Sequence, residues 1–175
     1  MVSIRPALAS DIPALRRLIS RSVEQLQAAD YDAAQRRAAL GTIFGIDSQL
    51  IQDQTYYVAE VGEELAACGG WSYRSTLFGA DAHKTQPDSK LQPATDAARI
   101  RAFFVAPAFA RQGLGSRIIH HCEDQAKLQG FRAFELGSTL SGERFYLRHG
   151  YREIERVWVP LAKADPLAII RMRKP

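Results

Sequence analysis

Residues 99–117 read RIRAFFVAPAFARQGLGSR and carry the strongest structural signal in the chain. The segment from Arg99 to Val105, which is rich in aromatic and branched apolar side chains, predicts a buried strand. A turn bearing Gly113 and Gly115 follows, and the residues after it have helical spacing. The first N–H groups of a helix lack backbone partners and lie at the positive end of its dipole. This strand–turn–helix unit therefore predicts a site for phosphate oxygens.

Two familiar phosphate-binding loops do not fit this turn. The dinucleotide fingerprint needs a third glycine where this chain has Ile118. A P-loop needs a lysine directly after its second glycine, whereas Gly115 is followed by Ser116 and Arg117. Taken alone, the two glycines are also compatible with a turn that only joins a strand to a helix.

Hydrophobic periodicity elsewhere predicts about seven strands and four helices in one domain, residues 1–175. The predicted strands cover residues 2–6, 55–61, 65–73, 99–105, 131–137, 151–159 and 167–172. The predicted helices cover residues 10–26, 32–52 with breaks near Gly41 and Gly45, 113–129 and 142–149. A polar segment, residues 75–97, is predicted to form a long loop. The hairpins in this order favour a mixed sheet over an all-parallel one.

Composition is that of a soluble globular protein, with 46% apolar and 24% charged residues. The longest uninterrupted apolar stretch, Ala102 to Ala110, is too short to span a membrane and contains a proline. Cys68 and Cys122 show no metal-binding spacing, and they predict reduced thiols in a cytoplasmic protein. Neither a disordered nor a membrane-spanning chain fits this composition.

The net charge of +4 is concentrated in one segment. Residues 99–156 hold ten basic and six acidic side chains, and the whole chain has 18 arginines against 5 lysines. Because arginine binds phosphate oxygens well, one interpretation is that the second half of the chain binds an anionic ligand. The other is that the arginine excess only reflects the amino-acid usage of the source organism. A nucleic-acid-binding domain is disfavoured because there is no dense basic run and no known binding motif.

With these residues in view, the chain resembles the GNAT superfamily of N-acetyltransferases. Members of that family have a strand ending in a Val-x-Pro-like segment, here Val105-Ala106-Pro107, and then a glycine-bearing helix start, here residues 113–116. A second match is residues 145–151, FYLRHGY, which resembles the family's "FY-x-x-x-GF/Y" helix and following strand. One departure is that the first Arg or Gln of the family motif falls on Ala110.

The resemblance implies an α+β fold of three layers. It has a mixed, mostly antiparallel seven-stranded sheet flanked by about four helices. Acetyl-CoA would lie in a V-shaped gap between the strand ending at Val105 and the strand starting near Arg132. The implied cofactor-binding residues are Phe103, Phe104, Val105, Arg111, Gln112, Gly113, Leu114, Gly115, Ser116, Thr139 and Ser141. The Val105 N–H would polarise the thioester carbonyl, and Arg111 or Gln112 would compensate for Ala110.

The reaction implied by the resemblance is direct attack of a primary amine on the thioester within a ternary complex. Tyr146 matches the family's general acid, and its phenol could protonate the departing thiolate. Glu135 is a candidate base, with Glu60 as another. For both main candidates a structural role remains open: Tyr146 as a core aromatic, and Glu135 as an ion-paired strand carboxylate.

The expected partners are acetyl-CoA and an amine of a small molecule or a protein, with no nucleic acid, no membrane and no metal. His120, His121 and Cys122 point in different directions on a helix, so they do not predict a metal site. Dimers are common in the family, which makes a homodimer one expectation. The alternative function is a non-catalytic, CoA-binding regulatory module of the same fold.

Overall fold

The computed structural model describes residues 1–175, which form seven strands and five α-helices. The strands are β1 (Val2–Pro6), β2 (Tyr56–Val61), β3 (Glu64–Ser72), β4 (Ala98–Val105), β5 (Phe134–Ser138), β6 (Arg152–Leu161) and β7 (Ala164–Lys174). The helices are α1 (Ile12–Leu26), α2 (Ala33–Ala39), α3 (Ser48–Gln52), α4 (Leu114–Leu128) and α5 (Glu143–Arg148). None of these helices has both the length and the apolarity needed to cross a bilayer.

The strands form one sheet in the order β1-β2-β3-β4-β5-β7-β6. Every neighbouring pair is antiparallel except β4 and β5, which run parallel. The predicted mixed, mostly antiparallel seven-stranded sheet is therefore confirmed. The helix count is one higher than predicted because the chain is extended at Leu40 and left-handed at Gly41, which separates α2 from α3.

Helices cover both faces of the sheet and bury two apolar clusters. On one face α4 packs Ile118, Cys122 and Ala126 against the sheet, which confirms the stripe that its sequence predicts. On the other face the amphipathic helix α1 buries Leu15 and Ile19 beside residues of α2 and α3. The result is a three-layer arrangement with the sheet in the middle.

Strand β4 carries a bulge at Ala102, where φ is 54°. Cys68 pairs with Phe104 and Gly70 pairs with Arg101, so two residues of β4 oppose the single residue Gly69. The bulge changes which face the side chains occupy: Ile100 lies in the α4 cluster, whereas Phe104 lies in the α1 cluster. The Tyr56 hydroxyl donates a 2.8 Å hydrogen bond to the Ala102 carbonyl and holds the bulge in place.

Strands β4 and β5 separate soon after they meet. Their parallel pairing covers only Ala98 with Phe134 and Arg99 with Glu135. From Ile100 to Val105, β4 therefore has no strand partner on that side, and a gap opens toward the start of α4. This gap is the V-shaped opening that the family resemblance implies.

The long predicted loop, residues 75–97, is pinned to β4 by a buried arginine. The Arg101 side chain is 1% exposed, and it donates to the carboxylate of Asp47 at 3.0 Å. The same guanidinium donates to the carbonyls of Gly79 at 2.8 Å and Thr76 at 3.3 Å. Because Asp47 is the N-cap of α3, one ion pair fixes both the loop and that helix to the sheet.

Candidate functional site

A cleft of about 660 Å³ occupies the gap between β4 and β5. Most of the predicted site residues line it, and they come from β4, the start of α4 and the turn before α5. These residues are Phe103, Phe104, Val105, Arg111, Gly113, Leu114, Gly115, Ser116, Thr139, Ser141 and Tyr146. We call the part built by residues 103–116 and by α5 the cofactor wall. The structure thus brings together eleven of the thirteen residues selected from sequence.

The turn before α4 presents a row of unpaired N–H groups. Arg111 and Gly113 adopt left-handed conformations, with φ of 61° and 81°. None of the backbone N–H groups of residues 111–116 donates to a protein acceptor, and the first bond of the helix comes from Arg117 to the Gly113 carbonyl. Successive free N–H groups at a helix start form a concave anion site.

Helix α5 closes the same end of the cleft. A Cβ placed on Gly115 would lie only 3.1 Å from the Phe145 ring, so glycine allows α5 to pack closely on α4. Arg144 and Arg148 of α5 line the cleft with exposed side chains. Together with Arg111, they give this end of the cleft a positive charge suited to phosphate groups.

The backbone N–H of Val105 faces the gap. The next residue, Ala106, donates its N–H to the Ala66 carbonyl of the β3 side at 2.8 Å. Successive N–H groups of an extended chain point in opposite directions, so the Val105 N–H points away from β3. It therefore lies on the open edge of β4, where a polarised carbonyl could accept from it.

Tyr146 lies at the centre of the cleft, with its ring fixed by other aromatic rings. The centroid distances are 6.4 Å to Phe103, 5.1 Å to Phe145 and 5.9 Å to Tyr151. Burial raises the pKa of the Tyr146 phenol, and the neighbouring Cys122 adds to the shift. The hydroxyl is thus protonated at neutral pH, and no protein group competes for its proton. The ring therefore packs in the core, and the hydroxyl has no hydrogen-bond partner in the protein. The role of Tyr146 as an acid stays a prediction.

Comparison with known proteins agrees with this geometry. The family model described as "Acetyltransferase (GNAT) family" matches residues 17–151. The chain belongs to this acetyltransferase family. A search of curated proteins found no match.

Solved structures of similar fold come from several organisms. A GCN5-related N-acetyltransferase from Rhodopseudomonas palustris aligns with a TM-score of 0.69 at 19% identity, over 98% of this chain and 94% of its own. The PaiA N-acetyltransferase from Thermoplasma acidophilum, solved with coenzyme A, aligns with a TM-score of 0.67 at 12% sequence identity, and the alignment covers 99% of this chain and 98% of that one. The Escherichia coli ribosomal-protein-S18-alanine N-acetyltransferase aligns with a TM-score of 0.63 at 16% sequence identity, and the alignment covers 100% of this chain and 94% of that one. These similarities show that the fold is shared.

In this GNAT chain Glu135 lies outside the cleft lining, in a cluster of arginines. Its carboxylate accepts from Arg173 at 2.7 Å, from Arg171 at 3.0 Å and from Arg99 at 3.1 Å. Burial by itself would raise the pKa of Glu135, but the hydrogen bonds from Arg171 and Arg173 and the charge of Arg99 hold it below its usual value. Such a carboxylate is a poor proton acceptor, so the structure favours the ion-pairing alternative. Glu60 is similarly bound to Arg5 at 2.8 Å, on the far side of β2 from the gap.

Three weaker sequence candidates have local partners. Gln112 is exposed outside the lining, and its amide donates to the Ala108 carbonyl at 3.4 Å. The Thr139 hydroxyl accepts from the N–H of Gly142 at 3.0 Å and stabilises the turn before α5. The Ser141 hydroxyl donates to Asp30 at 2.7 Å. Thr139 and Ser141 therefore shape the cleft, whereas Gln112 is on its outside.

No residue on the opposite side of the cleft was singled out from the sequence. This side is built by Leu26 and Gln27 at the end of α1, by residues 43–45 and by residues 77–79, and we call it the acceptor wall. The sequence predicts substrate selectivity from residues 28–53 and 75–97, which include two of these segments. The segments are far apart in sequence and share no motif, so no local signal could have identified the individual residues.

Proposed function

We propose that this chain is an acetyl-CoA-dependent N-acetyltransferase that transfers an acetyl group directly to a primary amine. One observation carries the proposal: residue 111 and residues 113–116, whose N–H groups are free, line the same cleft as Val105 and Tyr146. An anion site, a carbonyl-polarising donor and an acid in one gap are the parts that thioester aminolysis needs.

The residues present fit coenzyme A. Five N–H groups, those of residue 111 and residues 113–116, and three arginines supply donors and positive charge for a pyrophosphate and a further phosphate. The unpaired edge of β4 from Ile100 to Val105 offers backbone groups to an extended pantetheine arm. Acetyl-CoA would supply the acetyl group as a thioester, which is already activated for attack by nitrogen.

The chain's own groups then act on the two charges that develop. The Val105 N–H donates to the carbonyl oxygen as the amine nitrogen forms its bond to the acetyl carbon. The carbon–sulfur bond breaks, its electron pair goes to sulfur, and the Tyr146 hydroxyl gives that sulfur a proton. The nitrogen, which becomes positively charged as it attacks, loses its extra proton to water, and a proton returned through water restores the Tyr146 phenol.

Thermal unfolding with acetyl-CoA, CoA and NAD at matched concentrations tests the binding half of this proposal. A ligand held by residues 111–116 and β4 stabilises the folded state, by about 2.7 kcal/mol at a hundredfold excess over its Kd. For a chain of this size that corresponds to a rise in Tm of roughly 5–10 °C. We expect the rise with the two CoA species and none with NAD. Equal shifts for all three, or none, would contradict the proposal.

A non-catalytic CoA-binding module is the second candidate, and the lack of any carboxylate or histidine in the cleft lining favours it. Release of free CoA separates the two functions. An enzyme releases CoA from acetyl-CoA faster when an amine is present, whereas a binding module is stabilised by CoA and releases none.

A further inference from the structure

The charges lining the cleft are all at one end. Its only ionised side chains are Arg111, Arg144 and Arg148, at the cofactor wall, and its only other titratable group is Tyr146. No aspartate, glutamate, histidine or lysine lines it. Asp30 lies just outside, and its carboxylate accepts from Ser141. The cleft thus offers no counter-charge to a cationic substrate and no side chain that takes a proton near neutral pH.

This lining selects against strongly basic amines. An alkylamine of pKa about 10 is almost entirely protonated at neutral pH, and only the neutral amine can attack. An α-amino group has a pKa of about 7.7–8.0, so a substantial fraction is already neutral. Moving an ammonium ion from water into a cleft without a carboxylate adds a further cost. Both effects favour an acceptor of low basicity.

The acceptor wall is apolar apart from a few neutral groups. Its more exposed apolar side chains are Leu26, Leu77 and Phe78, whereas Phe44 is 3% exposed. The Phe44 ring is fixed edge-on against Phe104 at 6.3 Å, and the Phe78 ring is stacked on His83 at 5.5 Å. A wall of this kind binds an aromatic or branched aliphatic group by burying its surface.

Gln27 provides the polar contact in this wall. Its side chain is 6% exposed and lines the cleft, yet its Oε1 has no hydrogen-bond partner. A buried acceptor without a donor is costly, and the terminal amide torsion is soft enough to turn Oε1 into the cleft. A ligand N–H would satisfy this oxygen. The neighbouring residue Tyr31 fixes the segment, since its hydroxyl donates to the Ala168 carbonyl at 2.6 Å and accepts from Leu140.

We infer that the acceptor is a weakly basic primary amine on an apolar body, of the kind found in an α-amino amide or peptide with an apolar side chain. Its amide N–H bonds to Gln27, its apolar group contacts Leu26 and Phe78, and its amine faces the Val105 edge. The inference rests on the proposed acetyltransferase function and adds the substrate class. The reaction is unchanged: nitrogen bonds to the acetyl carbon, sulfur leaves, and the amine's proton goes to water.

Three acceptors test the inference, and the Gln27 variant described below separates the effect of the amide N–H from that of basicity. L-phenylalaninamide and phenethylamine share the phenyl body, but only the former has an amine of low basicity and an amide N–H. Spermidine is a polycation without an apolar ring. CoA release near neutral pH gives kcat/KM for each. We expect phenylalaninamide to exceed phenethylamine at least tenfold, with spermidine lowest. We also expect the phenethylamine rate to rise with pH over a wider range.

A matched pair of variants tests the role of Gln27 as a positioning residue. Gln27→Leu keeps the size of the side chain and removes the amide, whereas Gln25→Leu changes an exposed residue of the same helix. We expect Gln27→Leu to raise KM for phenylalaninamide roughly fivefold to tenfold while KM for acetyl-CoA and KM for phenethylamine stay the same. Gln25→Leu should match the wild type throughout.

The outcomes separate this inference from the function on which it rests. If acetyl-CoA raises Tm but spermidine has the highest kcat/KM, the substrate class is wrong while the proposed function stands. If acetyl-CoA raises Tm and no acceptor is acetylated, the chain is the non-catalytic CoA-binding module, and the acceptor class falls with the proposed transferase function. An unchanged KM for phenylalaninamide in Gln27→Leu removes the role of Gln27. If acetyl-CoA gives no shift in Tm, the proposed function fails, and the acceptor class falls with it.

Discussion

The two walls of the cleft are built in different ways. The cofactor wall comes mainly from one continuous segment, residues 103–116, and acts largely through backbone N–H groups. The acceptor wall comes from three segments that only meet in the folded chain, and it acts through side chains. The cofactor wall depends on local backbone conformation, and the glycines that allow this conformation can be recognised in the sequence. The acceptor wall depends on contacts between segments far apart in the chain.

The largest expected effect is the loss of stability when Arg101, which holds two segments near the acceptor wall, is replaced. Arg101→Met leaves the carboxylate of Asp47 buried without this partner and releases the carbonyls of Thr76 and Gly79. Loss of one member of a buried ion pair costs about 3–5 kcal/mol. We expect that reduction in the free energy of unfolding, measured by urea denaturation.

A double variant controls for the charge of Asp47, which in the single variant keeps only the Lys84 ammonium, at 2.7 Å, as an ionic partner. Asp47→Asn removes the carboxylate while keeping a side chain able to cap α3, and Lys84 still has Asp88 as a partner at 3.2 Å. Arg101→Met with Asp47→Asn should therefore recover part of the loss. A single variant within about 1 kcal/mol of the wild type would show that the pair does not hold the wall.

Tyr146→Phe tests the acid at the junction of the two walls. The ring keeps its aromatic contacts, so we expect folding and acetyl-CoA binding to be nearly unchanged. Loss of a general acid lowers turnover, here by about a hundredfold. Steady-state CoA release measures kcat, and thermal shift measures binding. Full activity in this variant would make Tyr146 a packing residue only.

Gly113→Asp tests the cofactor wall directly. A side chain at φ 81° is strained, and its carboxylate would repel a pyrophosphate at the N–H groups of this turn. We expect the Kd for acetyl-CoA to rise at least about tenfold, which is roughly 1.4 kcal/mol. Calorimetric titration measures it.

Gly62→Asp is the matched control. Gly62 also has a positive φ and open space around its Cβ position, but it lies in the turn between β2 and β3, away from the cleft. It should cost stability without changing the affinity. Equal weakening by both variants would attribute the effect of Gly113→Asp to strain and not to the anion site.

The smallest expected effect concerns Glu135, which belongs to neither wall. The pKa of Glu135 is lower in the folded state than in the unfolded chain, where it is about 4.3. The ionised carboxylate therefore stabilises the fold fully above the unfolded-state pKa, and this stabilisation is lost as the pH falls through the folded-state pKa. Glu135→Gln should therefore cost about 1 kcal/mol near neutral pH and almost nothing in acid.

Urea denaturation at several pH values measures this difference. The folded variant should release CoA at the wild-type rate, because Glu135 does not line the cleft. A loss of turnover with unchanged stability would instead restore Glu135 as the base.

Much of the fold was predictable because its signals are local. Strand β1 was predicted with its observed limits, and α4 was predicted to within a residue at each end. Strand β5 was predicted three residues early, because Phe131 is buried in the α4 cluster without belonging to the strand. An apolar pattern reports burial, and burial alone does not distinguish a strand from the segment leading into it.

The sequence by itself determined the layers of the fold, the glycine turn before α4 and the place of Tyr146 in the short helix before β6. These features depend on periodicity and on conformations that few residues other than glycine adopt. The tertiary structure alone decided that Glu135 is held by three arginines, that β4 has a bulge at Ala102, and that Gln27, Phe44 and Phe78 belong to the same wall of one cleft. Each of these depends on which distant segments become neighbours when strands pair and helices pack, and a single sequence carries no local trace of that pairing.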